Sequence, residues 1–155
     1  MFISFEGIEG SGKTTQINHM DKFLRDNGHD CVITREPGGT RIGEKIRAIL
    51  LDPESKDMDP LTELLLYSAD RAQHIREFIY PFLSAGKTVL CDRFYDATVV
   101  YQGFARGLDI GLIDKLHKLL FEDLNPDITF LLDPVSYTHL RAHETSLHLV
   151  CRLLL

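Results

Sequence analysis

The residues best suited to chemistry lie near the start of the chain, where positions 5 to 15 read FEGIEGSGKTT. The stretch matches the pattern G-x-x-x-x-G-K-[ST], in which glycines let backbone N–H groups converge on an anion. The lysine adds a mobile positive charge, and the threonine hydroxyl suits Mg²⁺. The pattern therefore predicts a phosphate-binding loop made of Gly7, Ile8, Glu9, Gly10, Ser11, Gly12, Lys13, Thr14 and Thr15. It does not say which molecule supplies the phosphate.

A second pair of charged residues, Asp92 and Arg93, follows the apolar run TVLC. A GTPase usually contains N-K-x-D for guanine recognition, and an ATPase motor usually has Asp-Glu at the end of this strand; neither is found here. An arginine next to the acid indicates a site that holds more negative charge than one triphosphate. A kinase of small phosphorylated substrates fits that requirement.

These residues need a scaffold, and the hydrophobic pattern predicts one. We expect strands over residues 1–6, 31–36, 88–92 and 127–133, each a short apolar run. We expect helices from residue 13 to Asn27-Gly28, over 42–50, over 61–83 with a bend near Pro81, and over 94–105 and 109–124. Asp59 and Pro60 fit an N-cap and the first helical position. Strands that alternate with helices predict an α/β fold, a parallel sheet with helices on both faces.

Five further stretches make the interpretation more specific: REPGGT at 35–40, GEKIR at 43–47, LYSADR at 66–71, CDRF at 91–94 and YQGFARG at 101–107. With the phosphate loop, and in this order and spacing, they resemble the thymidylate kinase family over residues 1 to about 133. The resemblance implies a P-loop nucleoside-monophosphate-kinase-like fold. It also implies transfer of the γ-phosphoryl group of ATP to dTMP, which gives dTDP, with Mg²⁺ as cofactor.

The resemblance also implies where the acceptor, dTMP, binds. The family places a base-stacking ring at the position of Tyr67, thymine-reading polar groups at Thr98 and Gln102, and at Tyr101 the residue that fills the space of a 2′-hydroxyl. The other implied acceptor residues are Glu36, Pro37 (whose peptide bond the family uses in the cis form), Arg47, Arg71 and Arg93.

The catalytic group implied by the resemblance is Lys13, Arg93, Asp92 and Glu9. Asp92 and Thr14 would organise Mg²⁺, Arg93 would clamp the acceptor phosphate, and Glu9 would lie near the 3′-hydroxyl. No strong general base is needed, because the acceptor is already an anionic phosphate oxygen. Two alternatives stay open: another P-loop nucleoside or nucleoside-monophosphate kinase, and a non-catalytic nucleotide-binding or dimerisation module.

Composition limits the partners. The formal net charge is −6, which disfavours nucleic acid and anionic membranes as partners, and no apolar run reaches 18 residues. We expect a cytoplasmic protein without a signal peptide, and the resemblance implies a homodimer. Cys31 and Cys91 are expected to be small buried residues in a reducing compartment. The histidines at 19, 29, 74 and 117 are expected to be surface or half-buried residues without a metal role.

The resemblance stops after FLLD at 130–133. The remaining residues, 134–155, resemble nothing in the family and are similar to translated read-through of foreign sequence; a natural shortened variant is the alternative. The spacing of His139, His143, His148 and Cys151 fits no common zinc pattern. We therefore expect a kinase domain over 1–133 that lacks the family's C-terminal part, including the lid and most of the adenine pocket. On that basis we expect the chain to be poorly stable and nearly inactive.

Overall fold

The computed structural model describes residues 1–121, 124–134 and 149–154. Its five strands are β1 (Phe2–Gly7), β2 (Cys31–Arg35), β3 (Thr88–Asp92), β4 (Ile128–Pro134) and β5 (Leu149–Leu154). They form one sheet in the order β2-β3-β1-β4-β5. The first four strands are parallel, whereas β5 pairs antiparallel with β4. The predicted parallel sheet is confirmed.

The register places the ends of three strands side by side. Phe5 of β1 pairs with Asp92 of β3, and Asp92 also pairs with Arg35 of β2. Parallel strands all present their carboxyl ends at one edge, and open α/β sheets bind ligands there. The phosphate loop, the Asp92-Arg93 pair and the loop after β2 therefore converge at that edge.

The helices are α1 (Lys13–Asp26), α2 (Arg41–Leu50), α3 (Pro60–His74), α4 (Tyr80–Ser84), α5 (Tyr95–Thr98) and α6 (Ile110–Phe121). The predicted cap of α3 is confirmed, since the Asp59 carboxylate accepts hydrogen bonds from the backbone of Leu61 and Thr62, and Pro60 follows it. The Thr40 side chain caps α2 in the same way by accepting from the Gly43 N–H.

Two of the predicted helices contain π-helical turns. Residues Ile75–Ile79 form one between α3 and α4, shortly before Pro81, which has no backbone N–H to donate to the preceding turn; the bend itself stays a prediction. Residues Val99–Ala105 form the other, directly after α5. Periodicity alone does not separate a π turn from an α turn, and the sequence predicted ordinary helix at both places.

The core lies on both faces of the sheet, as the uniformly apolar strands predict. On one face Phe2, Val89 and Cys91 pack with Ile75, Ile79, Phe94 and Phe121. On the other, Ile3, Phe5 and Leu90 pack with Ile17, Leu24, Cys31 and Leu132. Successive strand residues point to opposite faces, so each strand contributes to both clusters. Cys31 and Cys91 are free and buried, as expected.

The expectation for two histidines is wrong. His74 is completely buried and bonded to Thr34 and Glu36, and His117 is buried among Phe94, Tyr95 and Phe121. Both lie on inward faces of helices, which the scattered positions of the histidines in the sequence did not reveal. The expectation holds for His19 and His29, which are exposed.

Over the residues that the structure describes, no helix has the length and apolar character needed to cross a membrane.

Candidate active site

The carboxyl edge of the sheet contains a cavity of about 640 Å³. Most of the predicted phosphate-loop and acceptor residues line it together: Glu9, Gly10, Gly12, Lys13, Thr14, Glu36, Pro37, Arg47, Tyr67, Arg71, Asp92, Arg93, Thr98, Tyr101 and Gln102. Of the predicted loop residues, Gly7, Ile8, Ser11 and Thr15 are not among the residues that line it. Leu51, Phe94 and Ala97 complete the lining, and no sequence signal singled them out.

The phosphate loop has the backbone that its glycines predict. Gly7, Gly10 and Gly12 all have positive φ, at 142°, 75° and 86°. Gly7 also needs its small size, because an added Cβ would lie 2.9 Å from Ser11 Oγ and against the Leu132 carbonyl oxygen. Helix α1 starts at Lys13, so its N-terminus points toward the cavity edge that the loop forms.

Lys13 is held over the loop rather than extended into solvent. Its Nζ donates to the carbonyl oxygens of Gly7 at 3.1 Å and Ile8 at 2.8 Å. Burial and the nearby Arg93 lower the pKa of Lys13. A phosphate oxygen in the cavity would offer this ammonium group a negatively charged partner in place of two neutral carbonyls.

Arg93 is the one non-glycine residue with positive φ in the described chain, at 71°. This backbone conformation aims its side chain into the cavity, with the guanidinium 5.4 Å from the centre of the Tyr101 ring. Its N–H donates to the Phe5 carbonyl at 3.0 Å, which ties the turn to β1. Unusual φ values in bulky residues cluster at functional sites, where surrounding contacts enforce them.

Glu6 supports the same turn, and the sequence analysis did not identify it. Its carboxylate, buried at the end of β1, accepts a hydrogen bond from the Phe94 N–H at 2.7 Å. Burial raises the pKa of Glu6 to about 7, and Asp96 adds to the rise, although the Phe94 hydrogen bond and two arginines oppose it. Glu6 lies in the sequence F-E-G at 5–7, directly before the phosphate loop, but this short sequence does not distinguish a supporting glutamate from an ordinary strand residue.

The residues predicted to hold Mg²⁺ fit that ion. Asp92 Oδ1 is buried without a hydrogen-bond partner among the described residues, and both Asp92 and Thr14 line the cavity. Mg²⁺ prefers oxygen ligands and keeps several waters, so one carboxylate and one hydroxyl beside bound phosphates suffice. Across residues 1–121 and 124–134, no group of three or more His, Cys, Asp or Glu side chains could hold a metal without such help.

The side of the cavity where the acceptor is predicted to bind is built around Arg71. Its Nε donates to Glu36 Oε2 at 2.6 Å, and its Nη2 donates to the Phe94 carbonyl at 3.0 Å and to Thr98 Oγ1 at 2.9 Å. Burial alone would raise the pKa of Glu36, but Arg71 and His74 outweigh it and lower this pKa. Arg71 and Glu36 are each 3% exposed, so this ion pair is part of the cavity wall rather than a surface contact.

Gln102 is oriented by a neighbouring acid. Its Nε2 donates to Glu63 Oε1 at 2.6 Å, and Arg106 donates to the other oxygen of the same carboxylate. Because the amide nitrogen is engaged, the carbonyl oxygen is the part of Gln102 that is left to accept a hydrogen bond from a ligand. Thr98 and Gln102 lie four residues apart and both line the cavity, as their spacing predicts.

The remaining acceptor residues surround this wall. Tyr67 is half-buried and Tyr101 more exposed, and both line the cavity. The Glu36–Pro37 bond is cis, as the family resemblance implies, and the Pro37 carbonyl accepts from Arg47 at 2.7 Å. Arg47 is therefore a cavity residue and not a freely solvated surface arginine. The Gly38 N–H donates to the Asp70 carboxylate. Burial, and after it the charge of Glu36, raises the pKa of Asp70 to about 6.

A parallel sheet, a glycine-rich phosphate loop at its carboxyl edge and a basic cavity beside that loop define a nucleotide-binding α/β protein of the P-loop class. The chain belongs to the thymidylate kinase family, whose model matches residues 5–149. It is 60% identical to the thymidylate kinase of Desulfosudis oleivorans over 133 residues and 62% identical to that of Desulforapulum autotrophicum over the same length. A solved thymidylate kinase structure, from Ehrlichia chaffeensis, superposes with a TM-score of 0.79 at 46% identity.

Each match covers a larger share of this chain than of the relative. The matches include 86% of this chain in all three cases, but 62% and 59% of the Desulfosudis and Desulforapulum proteins and 71% of the Ehrlichia chain. The chain thus spans about three fifths of the length of the two most similar of these relatives.

Proposed function

We propose that this chain binds dTMP and the phosphates of ATP, as part of a protein that transfers the γ-phosphoryl group to dTMP. The products are dTDP and ADP. The observation that supports this most directly is that phosphate-loop residues such as Lys13 and Thr14 line the same cavity as Arg71, Thr98 and Gln102. A donor and an acceptor must lie side by side for direct transfer, and one shared cavity meets that need.

In the proposed mechanism the protein positions two anions and neutralises their charge. The loop N–H groups and Lys13 bind the β- and γ-phosphates, while Arg93 contacts the acceptor phosphate and the transferring group. An oxygen of the dTMP phosphate forms the new bond to the γ-phosphorus as the bond to the β–γ bridging oxygen breaks. Mg²⁺, held by Thr14 and Asp92, would neutralise charge on the ATP phosphates. Glu9, exposed at the cavity, is proposed to contact the 3′-hydroxyl.

Base selection is assigned to the polar wall. The Gln102 carbonyl oxygen would accept the N3–H of thymine, and Thr98 would support that edge. Tyr67 is proposed to stack on the base, and ring stacking is worth about 1–3 kcal/mol per base. Tyr101 would occupy the space of a 2′-hydroxyl. Glu36, Pro37, Arg47 and Arg71 would form the rest of the acceptor pocket.

A transfer assay over a panel of monophosphates tests this proposal. Because the chain spans only part of its relatives, the assay uses both this chain and a version extended to their length. We expect the extended version to phosphorylate dTMP with ATP and Mg²⁺ and to discriminate against dCMP and UMP. Equal use of those two would instead favour a broader nucleoside-monophosphate kinase. Binding without turnover in both versions would favour a nucleotide-binding module.

We also propose a homodimer in the cytoplasm. The support for a dimer is the pair Leu61 and Leu65, which lie one turn apart on α3 and are 45% and 51% exposed. Paired apolar residues at helical spacing suit a helix–helix contact. Sedimentation equilibrium checks this: a Leu65→Glu variant should be monomeric at concentrations where the parent chain is dimeric. A parent chain that is monomeric throughout contradicts the proposal.

The boundary at residue 133 remains our proposal, with residues 1–133 as the kinase domain and 134–155 as sequence foreign to it. The family-model match continues to residue 149, and β5 pairs with β4, so the boundary needs its own test. The histidines at 139, 143 and 148 lie outside the described residues.

A further inference from the structure

A row of buried polar side chains lies behind the Arg71 wall of the cavity. His74 Nδ1 is 2.9 Å from Glu36 Oε1, and His74 Nε2 is 2.6 Å from Thr34 Oγ1. The other Glu36 oxygen accepts from Arg71, so Thr34, His74, Glu36 and Arg71 form one continuous chain of hydrogen bonds. All four residues are buried, and the most exposed of them, Thr34, is 7% exposed. His74 and Thr34 have no role in the proposed mechanism.

The row of hydrogen bonds leaves one nitrogen of Arg71, Nη1, available to a ligand. The guanidinium uses Nε and Nη2 for its three hydrogen bonds to Glu36, Phe94 and Thr98, and no described residue accepts from Nη1. Arg71 also lines the cavity. Two fixed nitrogens in a rigid planar group determine the direction of the third. Nη1 can only donate, so the group it would meet is an acceptor oxygen.

Each member of the row limits the freedom of the next. An ionised Glu36 carboxylate can only accept, so His74 Nδ1 donates to it, and the other ring nitrogen, Nε2, lies 2.6 Å from Thr34 Oγ1, whose hydroxyl can either donate or accept. Gly39 packs against the Thr34–His74 end of the row, where no larger residue fits. A Cβ there would lie 2.6 Å from Thr34 Oγ1 and 2.8 Å from His74 Nε2. Glu36 thus has both oxygens engaged and cannot rotate without losing a hydrogen bond.

We propose that Glu36 and His74 are positioning residues that hold Arg71 so that its Nη1 donates to an acceptor oxygen of the bound monophosphate. The assignment rests on the proposed function for the identity of the ligand. That oxygen belongs either to the base, as a carbonyl, or to the 5′-phosphate. The row then determines how well the acceptor is bound, although neither Glu36 nor His74 takes part in the chemical step.

Isosteric variants of the chain test the row. Glu36→Gln removes the charge that holds Arg71, and His74→Leu removes the donor that holds Glu36. His74→Asn is the conservative rescue, because its amide nitrogen can take the place of Nδ1. Glu44→Gln is the matched control, since Glu44 pairs with Arg35 in an exposed ion pair outside the cavity lining, and the amide oxygen of glutamine can still accept from the Gly39 N–H as Glu44 does.

Calorimetric titrations with dTMP, thymidine and 2-deoxyribose 5-phosphate provide the binding readout. We expect Glu36→Gln and His74→Leu to weaken dTMP binding about tenfold, the loss typical of one charge-assisted hydrogen bond, and His74→Asn and Glu44→Gln to stay within about twofold of the parent. A matching loss for thymidine assigns the oxygen to the base, and a matching loss for the sugar phosphate assigns it to the phosphate. Unchanged Kd values in both variants overturn the proposal.

An NMR measurement without ligand separates this inference from the proposed function. The Arg71 Nε–H signal, assigned by its disappearance in Arg71→Lys, should be protected from solvent exchange in the parent and in His74→Asn. It should lose that protection in Glu36→Gln and His74→Leu. A role in folding alone would lower the melting temperature of His74→Leu and leave both this signal and the dTMP Kd unchanged, which overturns the proposal. If the parent binds none of the three ligands, the proposed function fails, and the signal still decides whether Glu36 holds Arg71.

Discussion

At the scale of single residues, the site is defined by charged side chains whose positions are fixed by contacts with the surrounding protein. Arg93 adopts a φ of 71°, a conformation that costs a non-glycine residue of order 1 kcal/mol or more. Two hydrogen bonds to β1 fix the turn, one from the Arg93 N–H and one from the Phe94 N–H. A strained backbone retained beside a phosphate loop indicates that the direction of the arginine matters more than the local energy.

Removing either cation should abolish transfer. We expect Lys13→Ala and Arg93→Ala, in the chain extended to the length of its relatives, to lower kcat for dTMP by 100-fold or more. Each removes a cation aimed at charge that develops in the transition state. Arg93→Gly provides the control for folding, because glycine tolerates the positive φ and should melt at or above the parent's temperature while transfer is still lost. Activity within threefold of the parent in either alanine variant would show that its role is misassigned.

Glu6 should make stability depend on pH. Its pKa rises from the ordinary 4.5 to about 7 on folding, so between these values the unfolded chain loses its proton first and stability falls as pH increases. We expect Glu6→Gln, which keeps an acceptor for the Phe94 N–H, to increase the free energy of unfolding at pH 8 by up to about 3 kcal/mol. The difference should vanish at pH 4, where both states of the parent are protonated.

Urea unfolding at pH 4, 6 and 8 measures this difference. Glu44→Gln is the comparison of opposite sign: hydrogen bonding to Arg35 lowers the pKa of Glu44, so its charge contributes stability that is present above pH 4.5 and lost as pH falls below it. If the free energy of unfolding of Glu6→Gln, relative to the parent, is no higher at pH 8 than at pH 4, then folding does not raise the pKa of Glu6.

At the scale of elements, the proposed acceptor pocket depends on how closely α2 approaches the loop after β2. Gly43 lies in the first turn of α2, and a Cβ there would be 2.5 Å from Asp70 Oδ1 and 2.7 Å from the Gly38 carbonyl oxygen. Asp70 in turn holds the Gly38 N–H. The glycine therefore lets α2, α3 and the Pro37–Gly39 loop meet at one point next to the cavity.

Alanine at this position should be harmful, although alanine usually favours a helix over glycine by about 1 kcal/mol. We expect Gly43→Ala to lower the melting temperature and weaken dTMP binding, because the loop after β2 must move away from Asp70. Gly111→Ala in α6 is the matched control, because the three atoms nearest to an added Cβ all belong to the exposed side chain of Asp109, the nearest at 3.2 Å, and it should be neutral or stabilising. Thermal melts and titrations of the two variants check the contrast, and equal behaviour would contradict it.

At the scale of the whole molecule, the site occupies a limited part of the chain. Every residue that lines the cavity lies between Glu9 and Gln102, and the described core extends no further than Leu132. The Desulfosudis and Desulforapulum thymidylate kinases align with it over 133 residues. The elements that shape the acceptor pocket are therefore all present before β5.

A chain that ends at residue 134 should consequently keep the acceptor site. We expect its Kd for dTMP to lie within threefold of the value for the 155-residue chain, because no lining residue is removed. Loss of β5 uncovers the edge of β4, so we also expect a greater tendency to aggregate, which light scattering would detect. A tenfold or larger loss of dTMP binding would show that residues 135–155 contribute to the site and would contradict the boundary at 133.

Much of this arrangement is determined by local sequence. The Gly7–Thr14 spacing, the apolar run before Asp92 and the Asp59-Pro60 cap each predict a structure that is present, because each depends on contacts between residues close in the chain. The resemblance to thymidylate kinases added the acceptor residues, and every one of them lines the cavity.

Other features depend on contacts between residues far apart in the chain. Glu6 and Phe94 are 88 positions apart, and Glu36 and His74 are 38 apart. No local pattern reports that a strand glutamate will meet a backbone N–H across the sheet, or that a histidine on a long helix will be buried under a loop. Burial changes the chemistry of these groups, since it removes water and makes each hydrogen bond matter. The residue types and their order thus predicted the fold and the residues that line the cavity, while tertiary packing decided which polar groups hold the site in place.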